Sequence, residues 1–185
     1  MQKIKNWLNS SAKLVFDCIY YDESITDPRL DALFVALGQA VSQNEAASIE
    51  SMIWGIWLRS GDNQVDVLME KGVSALRKEN FSDALIIFDT VVETLPEFAE
   101  GWNKRATANY LLGDLDSSIS DVEQTLALEP RHFGALSGLG MIALSLGQEQ
   151  QALEAFEAAL DIHPFLPGAD IHTRKLREKI CGSGY

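Results

Sequence analysis

The sequence predicts an all-α fold, a solenoid of stacked helical hairpins, and three observations carry that prediction. Prolines stand at 28, 96, 130, 164 and 167, and three of them recur every 34 residues. The windows ending two residues after those three prolines, Val65 to Phe98, Ala99 to His132 and Phe133 to Leu166, superimpose without a gap. Small residues recur at two positions of each window, Gly72, Ala106 and Gly140 at one and Ala84, Ser118 and Ala152 at the other. A fixed period of this length marks units that bury their apolar faces only by stacking on neighbours.

Taken in chain order, residues 1–28 form an N-terminal segment read as an amphipathic helix. Lys3 and Lys5 precede Ile4, Trp7, Leu8, Leu14, Val15, Phe16 and Ile19, an arrangement that imitates a signal peptide. Asn6, Asn9, Lys13 and Asp17 break the run, so the uninterrupted apolar core of ~7 to 15 residues that export requires is missing. Residues 29–64 follow the 34-residue frame through Phe34, Leu37, Gly38 and Val41, with Trp54 where Phe88 and Phe156 stand. The match then fails, because Glu50 replaces the small residue, Trp57 the Ala or Val, and Asp62 the proline. This segment is expected to be a degenerate helical hairpin that caps the array.

The three windows 65–98, 99–132 and 133–166 each read as helix, turn, helix. The first carries Leu68, Gly72, Ala75, Ala84, Phe88, Val91 and Pro96; the second Trp102, Ala106, Asn109, Gly113, Val122, Thr125 and Pro130; the third Leu136, Gly140, Ala143, Gly147, Ala152, Phe156, Ala159 and Pro164. Apolar residues fall at i, i+3, i+4 and i+7, as one-sided helices require. Paired backbones approach closely only where the side chain is small, and overpacking there costs ~1 to 3 kcal/mol. Gly113 and Gly147 are placed to end the first helices in the left-handed conformation, with Asn80 in that role in the first window. Pro96, Pro130 and Pro164 close the second helices, because proline donates no backbone bond. Residues 167–185 finish the chain with a basic amphipathic helix over Ala169 to Ile180, its apolar residues Ile171, Leu176 and Ile180.

These residues resemble the tetratricopeptide repeat (TPR), whose pattern is Trp-x2-Leu-Gly-x2-Tyr, then Ala-x3-Phe, then Pro. The resemblance covers about 102 residues, 65 to 166. It implies a right-handed α-solenoid, a solvating C-terminal helix, and a concave groove lined by positions 2, 5, 9 and 12 of each repeat. Carried across, these are Asp66, Met69, Val73 and Leu76, then Glu100, Asn103, Thr107 and Tyr110, then Gly134, Ser137, Met141 and Leu144. Leu76 and Leu144 are read as core. Met69, Val73 and Met141 offer adaptable apolar contact, Asn103 an amide for a peptide backbone, Tyr110 a rigid surface with a polar tip, and Lys104, Thr107 and Ser137 complete the expected groove. Repeat proteins that clamp the C-terminal carboxylate of chaperones carry Lys, Asn, Asn, Lys and Arg where this chain has Met69, Val73, Lys104, Gly134 and Gly138. That clamp is absent.

Composition bounds the function. The chain has 185 residues, 46% hydrophobic and 23% charged, which suits a globular core. Two cysteines, Cys18 and Cys181, supply neither a disulfide framework nor a zinc set. The three histidines, His132, His163 and His172, have no spaced ligand partners, although a 31-residue separation could bring His132 and His163 to one edge. No nucleophile elbow or phosphate-cradling loop occurs, and most of the carboxylates are expected on solvated faces. An enzyme, a metal and a cofactor are therefore not expected.

The net charge is −12 overall, and residues 65–166 hold 17 acids against 6 bases. Nucleic-acid binding, which needs cations along the phosphate backbone, does not fit. The expected function is a cytoplasmic protein-interaction adaptor whose groove takes a basic or apolar polypeptide segment. The alternatives are a self-associating structural module and a peripheral membrane adaptor held by residues 1–20.

Overall fold

The computed structural model describes residues 27–182. Among them every regular element is a helix: α1 (Pro28–Gly38), α2 (Gln43–Trp57), α3 (Asn63–Arg77), α4 (Phe81–Thr94), α5 (Ala99–Leu112), α6 (Leu115–Leu128), α7 (Phe133–Ser145), α8 (Glu149–Ile162) and α9 (Ala169–Gly182). The amphipathic helix expected in the N-terminal segment lies outside the described residues, apart from its last two positions. Backbone contacts divide the chain into two compact units. One is Trp57–Pro130, and the other combines the described residues before and after it.

The 34-residue period is visible in the helix limits themselves. The second helices begin at Phe81, Leu115 and Glu149 and end at Thr94, Leu128 and Ile162, each in step with the last. Each stops two residues short of a proline. The intervening residues, Leu95, Glu129 and His163, have φ from −138° to −126° and ψ from 76° to 92°. A residue before proline is pushed out of the α region by the pyrrolidine ring. The helix is thus stopped sterically one residue before the missing N–H would stop it.

The first helices end on a left-handed residue at one shared position, Glu79 (φ 61°), Gly113 (φ 83°) and Gly147 (φ 72°). The role expected of Asn80 therefore belongs to Glu79, which stands in register with the two glycines. Asn80 has φ −85° and begins α4 as its cap residue. Starts are capped by side chains: Asp62 accepts from the Gln64 N–H at 2.7 Å, Asp114 from Ser117 at 3.1 Å, and His132 Nδ1 from Ala135 at 3.0 Å.

In the unit Trp57–Pro130 the core gathers Val65, Met69, Ala84, Phe88, Val91, Phe98 and Ala108. A Cβ on Gly72 would lie 2.5 Å from the Phe88 ring. In the other unit a Cβ on Gly140 would lie 2.7 Å from Phe156. The middle window carries Ala106 in place of glycine and Val122 in place of phenylalanine, so the pair exchanges volume between its members. The second small position is equally tight, with Ala84 and Ala152 fully buried. Ser118 is admitted there because its hydroxyl donates to the Ala106 carbonyl at 2.8 Å.

The unit that contains α7, α8 and α9 closes its end with α9. Arg177 reaches Glu157 at 2.6 Å, Lys179 pairs with Glu149, and His172 stacks on Phe156 at 4.9 Å. The buried residues of α9 are Ala169, Thr173 and Leu176, whereas Ile171, expected on the apolar face, is exposed. Its stripe is rotated from the expected one because Thr173, not Ile171, lies one turn before Leu176 on the packed side.

Helices α1 and α2 belong to this same unit. Asp27 caps α1, accepting from the Arg29 N–H at 2.9 Å, and the Arg29 guanidinium holds its carboxyl down to about 2. Trp54 does not repeat the packing of Phe88 and Phe156. Its register partner Gly38 has open space where a Cβ would be, while the indole stands edge-on to His132, the last residue of the second repeat, and Phe133, the first of the third, at 5.7 and 5.6 Å.

Two measurements test this account of the repeats. Gly140→Ala is expected to cost ~1 to 3 kcal/mol in chemical denaturation, and combining it with Phe156→Val, which copies the middle repeat, should cost at least ~0.5 kcal/mol less than the sum of the single changes. Glu79→Gly should raise stability by up to ~1 kcal/mol, because it relieves a left-handed non-glycine residue; a loss would show that the Glu79 conformation carries no strain.

Candidate interaction site

Helix α5 has two working faces. One packs into the repeats through Ala106 and Asn109, and the other carries Glu100, Asn103, Lys104, Thr107 and Tyr110 at i, i+3, i+4, i+7 and i+10. That spacing puts the second group on a single stripe.

The packed face contains a charge network that the sequence reading did not single out. Arg105 forks onto Asp121 of α6, Nε to Oδ2 at 3.0 Å and Nη2 to Oδ1 at 2.6 Å, and reaches Asp89 of α4 at 3.0 Å. Asn109 donates to the same Asp121 at 2.9 Å, and the Arg105 guanidinium lies over the Trp102 ring. Asp121 is 2% exposed. Burial pushes its carboxyl above the ordinary carboxylate range against the pull of Arg105, and the bond to Asp121 in turn raises the Arg105 pKa. This network joins three helices of two repeats. The third window holds Leu139 and Ala155 where Arg105 and Asp121 stand, so no periodic signal marked it.

The outer stripe is polar and internally bonded. Glu100 is 1% exposed, with Lys104 Nζ at 2.7 Å from one carboxylate oxygen and Asn103 Nδ2 donating to the other at 2.8 Å. The Asn103 amide, expected to meet a peptide backbone, is therefore engaged by its own helix. Thr107 is exposed and donates to the Asn103 carbonyl at 3.0 Å, and Tyr110 is half-buried. Glu100, Asp121 and Glu129 are buried, exceptions to the solvated placement expected for most of the carboxylates.

On α3, Met69 is buried in the repeat core and is withdrawn from the expected groove surface, because Val65, Phe88 and Val91 pack in the same cluster. Val73 is half-buried and borders that cluster, and so does Leu76. Asp66 accepts from both the amide and the hydroxyl of Ser60, at 2.8 and 2.6 Å, and so anchors the loop before α3. In the other unit, Ser137, Met141 and Leu144 lie half-buried on α7. Gly134, at the equivalent of Glu100, has the Trp54 indole against it. Among the described residues no cluster of three or more metal-ligating side chains occurs, and no helix is long and apolar enough to cross a membrane.

Paired helices in 34-residue register, proline corners and close glycine to phenylalanine contacts define a helical-hairpin repeat protein. The family model described as tetratricopeptide repeat matches residues 69–127 and 112–167, and the chain belongs to that family. A TPR repeat-containing protein of Rhizobium etli is 38% identical over 155 residues, covering 84% of this chain and 76% of that protein. Among solved structures, the first TPR of Spaghetti bound to an HSP90 peptide superimposes with a TM-score of 0.61 at 23% identity, over 65% of this chain and 96% of that one. A structure of MamA gives 0.59 at 19% identity, over 81% and 82%. These likenesses establish the all-α TPR solenoid. Tetratricopeptide repeats are generally protein-interaction modules and non-enzymatic adaptors.

Arg105→Ala should cost ~3 to 5 kcal/mol in denaturant unfolding, because it leaves Asp121 buried without its cation. Arg105→Lys should recover only part of that loss, since an ammonium cannot fork onto both carboxylate oxygens.

Proposed function

We propose that the protein is an adaptor that captures a polypeptide segment, basic or apolar in character, through the part of the α5 stripe that stays accessible, Lys104, Thr107 and Tyr110. The observation that carries this reading is the two-sidedness of α5. Its packed face is fully committed to Asp121, Ser118 and the hairpin core, while Lys104, Thr107 and Tyr110 sit on the opposite stripe with polar tips and little part in that core. Val73 of α3 adds an apolar contact in the same unit.

The charge of the repeats favours a partner of the opposite sign. With 17 acids against 6 bases over residues 65–166, the surface attracts a basic segment and repels an acidic one. An acidic chaperone tail is not the proposed ligand, because Met69, Val73, Gly134 and Gly138 replace its cationic and amide contacts. The proposed site of action is the cytoplasm.

Affinity capture with the full chain tests the reading. Wild type should retain a defined set of proteins that Thr107→Glu combined with Tyr110→Ala loses by at least ~10-fold, or about 1.4 kcal/mol of binding, with unchanged thermal melts. Retention of the same set by both chains would refute binding through α5.

A further inference from the structure

Two fully buried histidines have no counterpart in the repeat pattern. His163 stands where the earlier repeats have Leu95 and Glu129, and His132 stands where the others have Phe98 and Leu166. Both lie at the corner where α7 begins and α8 ends, and both are contacted by α2.

The contacts are specific in chemistry and in direction. The Phe165 N–H donates to His163 Nδ1 at 3.3 Å, so the ring hydrogen resides on Nε2, which donates to Glu50 Oε2 at 3.2 Å. The other Glu50 oxygen accepts from the Trp54 indole N–H at 3.1 Å, one helical turn further on. The indole then meets Phe133 edge-on at 5.6 Å and His132 at 5.7 Å. Its far edge rests on Gly134, where an added Cβ would lie 3.0 Å from the ring. Around this seat Gln43 donates to the Phe165 carbonyl at 3.0 Å, Arg131 pairs with Asp31 of α1 at 2.7 Å, and the same guanidinium lies 4.3 Å over the Phe34 ring.

Contacts of this chemistry are also those by which one helix recognises a seat on another. An aromatic anchor fills a seat floored by glycine, a carboxylate is clamped by a buried imidazole, and a side-chain amide holds a free corner carbonyl. The partners are 100 to 122 residues apart along the chain for the Asp31 and Gln43 contacts, so local connectivity does not impose them.

We infer that the corner where α7 begins and α8 ends, formed by Arg131, His132, Phe133, Gly134 and His163, is a binding site for an amphipathic helix carrying a carboxylate and an indole one turn apart, and that α2 occupies it in cis. A Cβ at 134 would lie 3.0 Å from the indole and force it to shift, and a longer side chain there would take its place. A tethered occupant acts at an effective concentration of the order of millimolar. An outside helix of the same pattern therefore enters only when α2 is weakened or displaced. This inference is independent of the stripe on α5 and stands or falls separately from it.

A fluorescent peptide of residues 43–57 serves as the probe, titrated against full-length chains. Glu50→Ala combined with Trp54→Ala, which vacates the seat, should bind the peptide at least tenfold more tightly than wild type does. Adding Gly134→Leu to that variant should abolish the gain. Equal binding by wild type and the vacated chain, or a gain that survives Gly134→Leu, overturns the inference. Should the vacated chain not fold, hydrogen exchange on Gly134→Leu alone decides. Protection of 43–57 should fall at least tenfold while that of 65–130 is kept, and unchanged protection of 43–57 overturns the inference equally.

Discussion

The structure depends on the close approach of the two helices of each repeat, and that approach is set by a pair of residues sixteen apart. Where the second helix offers phenylalanine, at 88 and 156, the first offers glycine, at 72 and 140, and the absent side chain is filled by the ring. Where the second helix offers valine, at 122, the first carries alanine. Protein interiors are packed as densely as organic crystals, so a methyl group added on one side must be removed on the other. The exchange of volume between Ala106 and Val122 is that rule written within one chain.

The same economy appears at the corners. Each proline does its work one residue upstream, by forcing Leu95, Glu129 or His163 out of the helical region. The residue so placed is then available for other contacts. In the third repeat it is a histidine, and its ring is taken up by Glu50 and Phe133. A position that the repeat needs only for its backbone conformation there also holds α2. The buried Asp121 shows the complementary case. A charge inside the array is tolerated because Arg105 and Asn109 satisfy it from one helix, and the network joins repeats that hydrophobic contact alone would join less specifically.

The two faces of α5 differ in chemistry, one bonded to α4 and α6 through Arg105 and Asn109 and the other bonded along its own helix. Glu100, Asn103 and Lys104 bond to one another along the helix, which lowers the cost of burying any of them and fixes their directions. The stripe is therefore rigid and polar, with Thr107 and Tyr110 beyond it. The third repeat presents a different picture, since its position equivalent to Glu100 is a glycine covered by an indole from α2. The expected groove positions are thus not chemically alike from one repeat to the next.

The repeat register, the small positions Gly72, Ala106 and Gly140, and the family were all legible in the sequence, because each follows from local sterics repeated every 34 residues. Glu79 was obscured by a neighbouring asparagine, a residue type that tolerates positive φ in isolation, although the register pointed to Glu79. Tertiary structure alone decided that Met69 is core and that Trp54 leaves its register to lie against His132 and Phe133. Those outcomes depend on which surfaces meet between residues tens to a hundred positions apart. Periodicity reports the face a side chain occupies, but not what will be packed against that face.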